Sequence, residues 1–98
     1  MHLCTIRGLW FQRDPNSVDI YSDGDPVAYI GGGIDLRERL PLELARWLFP
    51  VALAMMDALA GNPSNADLAR VIVRAARAAG VRDEEIVVNP ELREVERG

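Results

Sequence analysis

Metal ligands and nucleophiles are few in this chain. His2 and Cys4 form an HxC pair, and the chain contains no other histidine or cysteine. A zinc site needs three or four ligands, so one chain cannot complete it. Cys4 has only His2 as a potential base, and every serine has the same single candidate. The residues therefore argue against zinc binding and against acyl transfer.

Carboxylates offer a second kind of chemistry. Asp23 and Asp25 flank Gly24, and Glu43 follows in a predicted helix. The segment IYSDGD at 20–25 resembles the first-strand motif of ribonuclease H enzymes, and Glu43 would take the place of their helical glutamate. Too few residues separate Asp25 from Glu43 for the other strands of that fold, and Asp-Gly also fits a hairpin turn. A metal-dependent hydrolase using Asp23, Asp25 and Glu43 is therefore only our third functional hypothesis. The leading hypothesis is non-enzymatic, and under it we expect no bound metal.

Three arginines line up on a later predicted helix. Arg70, Arg74 and Arg77 recur at i, i+4 and i+7, which places them in one stripe. Such a stripe can bind phosphate or an acidic partner, so a nucleic-acid-linked regulator is our second hypothesis. Acidic residues at Asp67 and 83–85 lie close by, and they favour a solvated, locally paired face.

A triple glycine could suggest a nucleotide-binding loop. Gly31, Gly32 and Gly33 are followed by IDLRER. This arrangement matches neither GxxxxGK[ST] nor GxGxxG. We therefore expect no cofactor, and we interpret the glycines as a flexible corner between the sheet and the first helix.

The composition predicts a single α+β domain over residues 1–98. Hydrophobic residues make up 49% and charged residues 27% of the 98 residues, as in ordinary globular chains. The net charge of −4 disfavours general affinity for nucleic acid or anionic membranes. A single cysteine and no signal-peptide pattern predict a cytoplasmic protein. The chain has no lysine and 12 alanines, a bias typical of GC-rich genomes.

The N-terminal third predicts a three-stranded antiparallel meander. Strand-like sequences cover 3–12, 18–22 and 26–31, and turns fall at 13–17 and at Asp23-Gly24. Such short connections cannot return a parallel strand.

Alternation along these strands places apolar side chains on both faces of the sheet, because successive side chains point to opposite faces. We expect one face to carry the core residues Cys4, Ile6, Trp10, Val18, Ile20, Ala28 and Ile30. We expect the other face to carry Leu3, Leu9, Phe11, Tyr21 and Tyr29. A solvated sheet face is normally polar, so the second face predicts contact with another surface.

Two helices are predicted after the meander. The first covers 41–60 and contains the uncharged run WLFPVALAMM, in which Pro50 predicts a kink or two helical pieces. The second covers 66–79, begins at a cap formed by Ser64 or Asn65, and ends at Gly80. A short C-terminal strand is a further candidate at residues 86–88.

The leading hypothesis is a non-enzymatic intracellular protein-binding or accessory regulatory module that associates with itself, as a phage-type inhibitor or adaptor would. Its first helix needs cover on most sides, and an isologous homodimer would bury the excess apolar surface. The predicted partner-binding residues are Leu9, Phe11, Tyr21, Tyr29, Trp47 and Met55. The alternative is a monomer in which residues 86–95 fold back over the sheet.

Overall fold

The computed structural model describes residues 1–92, which form a six-stranded antiparallel sheet with two helices packed on one face. The strands are β1 (His2–Ile6), β2 (Leu9–Asp14), β3 (Ser17–Ser22), β4 (Asp25–Ile30), β5 (Ile34–Leu36) and β6 (Ile86–Val88), in the order β5-β4-β3-β2-β1-β6. The helices are α1 (Leu42–Leu59) and α2 (Asn65–Ala78). The predicted α+β class is confirmed, whereas the predicted three-stranded meander has too few strands.

The first predicted strand, residues 3–12, is a hairpin. Arg7 and Gly8 have φ angles of 49° and 82°, and they form a two-residue turn between β1 and β2. Positive φ at both central residues is typical of the type I′ turn, which follows the right-handed twist of the flanking strands. Arginine rarely adopts positive φ, so the sequence shows only half of the usual signal.

The triple glycine turns the chain back into the sheet. The amide of Gly31 donates to the carbonyl of Gly33 at 3.0 Å, and β5 then pairs antiparallel with β4. The prediction that these glycines end the sheet is therefore wrong, because a three-residue strand follows them. This strand is too short and too polar to show a clear alternating pattern.

The predicted C-terminal strand is confirmed as β6, which forms the sheet edge beside β1. Asn89 fixes its end, since its Nδ2 donates to the carbonyl of His2 at 2.8 Å and its amide donates to that of Leu3 at 3.0 Å. A helical turn, Pro90–Leu92, follows. Residues 86–88 extend the sheet instead of crossing its face, and residues 93–95 of the alternative prediction lie outside the described part.

Helix α1 begins immediately after Pro41, whose carbonyl accepts the amides of Leu44 and Ala45 at 3.1 and 3.0 Å. The helix continues through Pro50 without separating into two pieces. Pro50 has no amide hydrogen to donate to the carbonyl of Arg46. Both residues are exposed, so water can donate a hydrogen bond to that carbonyl instead.

Helix α2 has clear signals at both ends. Of the two predicted caps, Ser64 is the one used, and its Oγ accepts the amide of Asp67 at 3.1 Å. Gly80 adopts a φ of 95° after the helix, and the amide of Val81 donates to the carbonyl of Ala76 at 3.0 Å. This Schellman arrangement satisfies a carbonyl in the last turn.

The core lies between one face of the sheet and the two helices. Helix α1 packs over β4 and β5, α2 packs over β1, and the helices contact each other. The largest fully buried side chains are Phe11, Leu3, Ile6, Ile20, Ile30, Leu48, Met55, Leu68 and Ile72. Within residues 1–92, neither helix has the length and apolarity needed to cross a membrane.

Candidate functional site

Four of the six predicted partner-binding residues lie in the core. Leu9 and Trp47 are almost fully buried, and Phe11 and Met55 are completely buried. These side chains fill the space between the sheet and the helices. They therefore contribute no contact surface to the folded monomer.

The β1–β2 turn explains why the face of Leu9 and Phe11 is predicted incorrectly. In one uninterrupted strand, Ile6 and Leu9 would point to opposite faces, because they are three residues apart. The two-residue turn makes them direct partners on neighbouring strands, so both point into the core. The same turn moves Trp10 from the predicted core to the opposite face.

The face turned away from the helices, here called the open sheet face, carries a row of aromatic side chains. Trp10 on β2 and Tyr21 on β3 are direct partners, and Tyr29 follows on β4. Trp10 is 44% exposed, Tyr29 is also exposed, and Tyr21 is half-buried. Of the predicted partner-binding residues, only the two tyrosines lie on this face.

Trp10 is held in place by its neighbours on the open sheet face. Its ring stacks on His2, with ring centroids 3.5 Å apart and planes inclined by 18°. Its indole N–H donates to Oε1 of Gln12 at 2.9 Å. His2 also contacts the hydroxyl of Thr5 at 3.1 Å, and burial lowers the pKa of His2. Burial therefore favours the neutral form of His2, whose ring supports the indole.

Carboxylates make the open sheet face acidic. Asp19 and Asp35 are the direct partners of Tyr29 on the neighbouring strands. Burial raises the pKa of Asp19, and a hydrogen bond and charge repulsion from Asp14 raise it further, whereas Arg37 opposes the shift. Two copies of this face would bring like charges together, which disfavours isologous pairing through the sheet.

A second exposed surface lies on α1. The outer stripe of this helix, defined as Leu42, Arg46, Phe49, Leu53 and Asp57, follows a spacing of four, three, four and four residues. Leu42, Phe49 and Leu53 are 67%, 40% and 54% exposed. Residues at this spacing lie on one face of a helix, opposite the buried side chains. The outer stripe therefore places three apolar side chains on the surface, with Arg46 between Leu42 and Phe49 and with Asp57 at its C-terminal end.

The two charged members of the outer stripe have no ionic partner within residues 1–92. The ion pairs there join Arg7 to Glu85, Arg70 to Asp67, Arg77 to Asp83 and Arg82 to Glu84. Arg46 and Asp57 are both exposed and belong to none of these pairs. Both charges are therefore available to a second molecule.

The arginine stripe of α2 is largely neutralised. Arg70 pairs with Asp67 at 3.0 Å, and Arg77 pairs with Asp83 at 2.7 Å. The side chain of Arg70 is also only 31% exposed. Of these three arginines, only Arg74 is exposed without an ion pair in residues 1–92. This arrangement does not present three free cations to a phosphate backbone.

The groups considered for catalysis are not brought together. Asp23 lies in the β3–β4 turn with a φ of 50°, Asp25 begins β4, and Glu43 lies in the first turn of α1. Within residues 1–92, no cluster of three histidine, cysteine or acidic side chains could hold a metal ion. Cys4 is buried, which raises the pKa of its thiol to about 12.

Sequence reasoning missed Trp10 and the outer stripe as surface features. Trp10 was missed because the β1–β2 turn was not recognised. The outer stripe did leave a signal, since Leu42, Phe49 and Leu53 share one helical face opposite Trp47. One apolar face of that helix must be buried, and the other then remains outside.

Comparisons of the chain with protein-family models, with curated proteins and with solved structures found no match.

Proposed function

We propose that this chain is a small non-enzymatic protein-binding module that associates with a second copy through the outer stripe of α1. The observation that carries the proposal is the line of exposed apolar side chains at Leu42, Phe49 and Leu53. Single exposed apolar residues are common, but several on one face of a helix are typical of an interaction surface.

An antiparallel pairing of two α1 helices brings complementary residues together. With Phe49 opposite Leu53 of the second copy, Leu42 lies opposite the second copy's Ala60. Arg46 then lies within one residue of the second copy's Asp57, a displacement of about 1.5 Å along the axis. Twofold symmetry repeats each of these contacts, so a single stripe is complementary to itself.

The position of Asp57 also favours this arrangement. It lies in the last turn of α1, where no basic residue is present. A carboxylate there is unfavourable, because the C-terminal end of a helix carries partial negative charge. In the antiparallel pair, Asp57 approaches the N-terminal half of the partner helix and its Arg46.

Two features of the chain argue against covalent catalysis. The chain contains one histidine, and it contacts Trp10 and Thr5 instead of a serine or cysteine. The thiol of Cys4 is buried in the core, and its raised pKa leaves it protonated at neutral pH. An activated nucleophile needs a nearby base or a lowered pKa, so neither route to covalent catalysis is supported.

The expected affinity is modest. A standard stable interface buries about 800 Å² on each partner, and one helical stripe covers less than this. We therefore expect a dissociation constant of about 10 μM, weaker than that of an obligate dimer.

Sedimentation of a stripe variant tests this function. Phe49→Asp places a charge at the centre of the outer stripe, so we expect it to sediment as a monomer while the unmodified chain dimerises with increasing concentration. Val87→Asp is the matched control, because Val87 is 61% exposed but lies on β6, away from α1. If the unmodified chain stays monomeric at all concentrations, or Phe49→Asp dimerises equally well, the proposal is wrong.

A further inference from the structure

We propose that the open sheet face contains a binding site for a cationic side chain of a peptide, either a guanidinium or a methylated ammonium group. The site is a shallow depression of about 460 Å³ between the tips of two hairpins. Its lining consists of Gly8, Trp10, Tyr21, Asp23 and Gly24. It lies across the sheet from the helices, so it is separate from the outer stripe of α1.

Two aromatic rings form the walls of this depression. Trp10 and Tyr21 are direct partners on adjacent strands, so their side chains stand next to each other on one face. Aromatic faces attract cations, and tryptophan does so most strongly. His2 stacks on the indole, and Gln12 accepts its N–H, so the ring is held in place before any ligand arrives.

A carboxylate supplies the matching charge. Asp23 is the only ionisable carboxyl group in the lining, and it makes no ion pair within residues 1–92. The nearest arginine along the lining strands, Arg7, points elsewhere. It pairs with Glu85 at 3.0 Å, and its guanidinium carbon lies 5.9 Å from the centroid of the Trp47 ring. No arginine of the described part therefore occupies the place of the cation.

The two hairpin tips leave the entrance open. A β-carbon built on Gly8 or Gly24 would meet no other atom within 4 Å, so space extends outward from both turns. A long, narrow side chain can enter from this edge and place its charged end beside the side chains of Trp10 and Tyr21. Phosphate-bearing ligands are disfavoured, because Asp23 and the net charge of −4 repel them.

The test uses two small cations as probes, each with a neutral counterpart of similar shape. Tetramethylammonium is compared with neopentyl alcohol, and N-acetyl-arginine amide is compared with N-acetyl-citrulline amide. All four titrations are run at constant ionic strength. Two-dimensional NMR follows the indole N–H of Trp10 and the amides of Gly8 and Gly24. We expect saturable shifts of these three signals with a dissociation constant of about 5 mM for each cation.

Two matched carboxylate variants locate the charge that matters. Asp23→Asn preserves the turn, because asparagine tolerates positive φ, and it should weaken binding of both cations about fivefold. Asp35→Asn removes an exposed carboxylate of the same face outside the depression, and it should leave binding unchanged. In the Trp10→Ala variant, the amide signals of Gly8 and Gly24 should no longer show saturable shifts when either cation is added.

The proposal is overturned if the neutral counterparts bind as tightly as the cations, or if neither cation produces a saturable shift. It is also overturned if Asp35→Asn weakens binding as much as Asp23→Asn. The Phe49→Asp variant should bind both cations normally, so failure of this proposal and failure of self-association are distinguishable.

Discussion

At the scale of single residues, Asp19 shows how the open sheet face affects a carboxyl group. Burial raises its pKa, the neighbouring Asp14 adds to the shift, and Arg37 reduces it. The folded state therefore holds a proton on Asp19 at a higher pH than the unfolded state does. The stability contributed by this group is present below the unfolded pKa and is lost as the pH rises through the folded pKa.

Replacing Asp19 with asparagine should remove this loss. Relative to the unmodified chain, Asp19→Asn should gain stability between about pH 3.5 and pH 7, by roughly 0.5 kcal/mol because the site is partly solvated. Urea unfolding at the two pH values measures the difference, and Asp35→Asn controls for removal of a carboxylate from the same face. A relative loss of stability for Asp19→Asn at the higher pH would contradict the assigned direction.

At the same scale, the sequence predicts the secondary structure around several site residues but not the sheet face on which each residue lies. The aromatic and β-branched residues indicate strands, and Asp23-Gly24 indicates a hairpin, which the structure confirms. The face of Trp10 depends on whether the chain turns at Arg7-Gly8. A single arginine in a left-handed conformation decides this, and its residue type does not reveal it.

At the scale of elements, one turn determines the faces of the first two strands. The Arg7-Gly8 turn needs positive φ at both positions, and glycine adopts it without steric cost. Arg7 adopts this left-handed conformation, and its side chain pairs with Glu85 and lies near the ring of Trp47. These contacts link the Arg7-Gly8 turn to α1 and to the 3₁₀ turn Asp83–Glu85, which precedes β6.

A pair of glycine substitutions tests the conformational demand of this turn. Gly8→Ala meets no other atom, so its cost should come from the backbone alone, at about 1 kcal/mol. Gly32→Ala is the matched control, since its β-carbon also meets no atom and its backbone is not left-handed. Thermal unfolding should show a lower midpoint for Gly8→Ala only, and equal midpoints would contradict the proposed role of the turn.

The sequence predicts the helices more accurately than it predicts the strands. Ser64, Gly80 and the apolar spacing predict α2 almost to its ends, because capping and termination depend on local residues. The sequence also predicts where helix α1 lies along the chain. It does not predict which face of α1 turns towards the core, because apolar residues occur around most of its circumference. Contact with the sheet decides that Trp47 faces inward and Phe49 faces outward.

At the scale of the whole molecule, the two layers leave one candidate surface on each side. The open sheet face is aromatic and acidic, whereas the outer stripe of α1 is apolar with one positive and one negative residue. Like charges oppose self-pairing of the sheet face, and opposite charges favour self-pairing of the helix. The proposed dimer therefore leaves both sheet faces free for a cationic partner.

The α+β class follows from hydrophobic periodicity, but the number of strands does not. The edge strand β5 has three residues, which is too few for a clear alternating pattern, and the turn at Arg7-Gly8 divides the first predicted strand into two. The bulge in β1 also places the consecutive residues Leu3 and Cys4 in the core, against strict alternation. Local sequence therefore predicts the layers of the fold better than the faces of its strands.

Reversing the two charges of the outer stripe tests the central claim most directly. Sedimentation equilibrium of the unmodified chain should show a mass that rises from 10.8 kDa towards twice that value over the micromolar range. Arg46→Asp and Asp57→Arg should each remain close to the monomer mass, because each variant creates two like-charge contacts in the symmetric pair. The double variant restores opposite charges, so it should dimerise again. Monomeric behaviour of the unmodified chain, or a double variant no better than the single variants, would contradict the antiparallel α1 dimer.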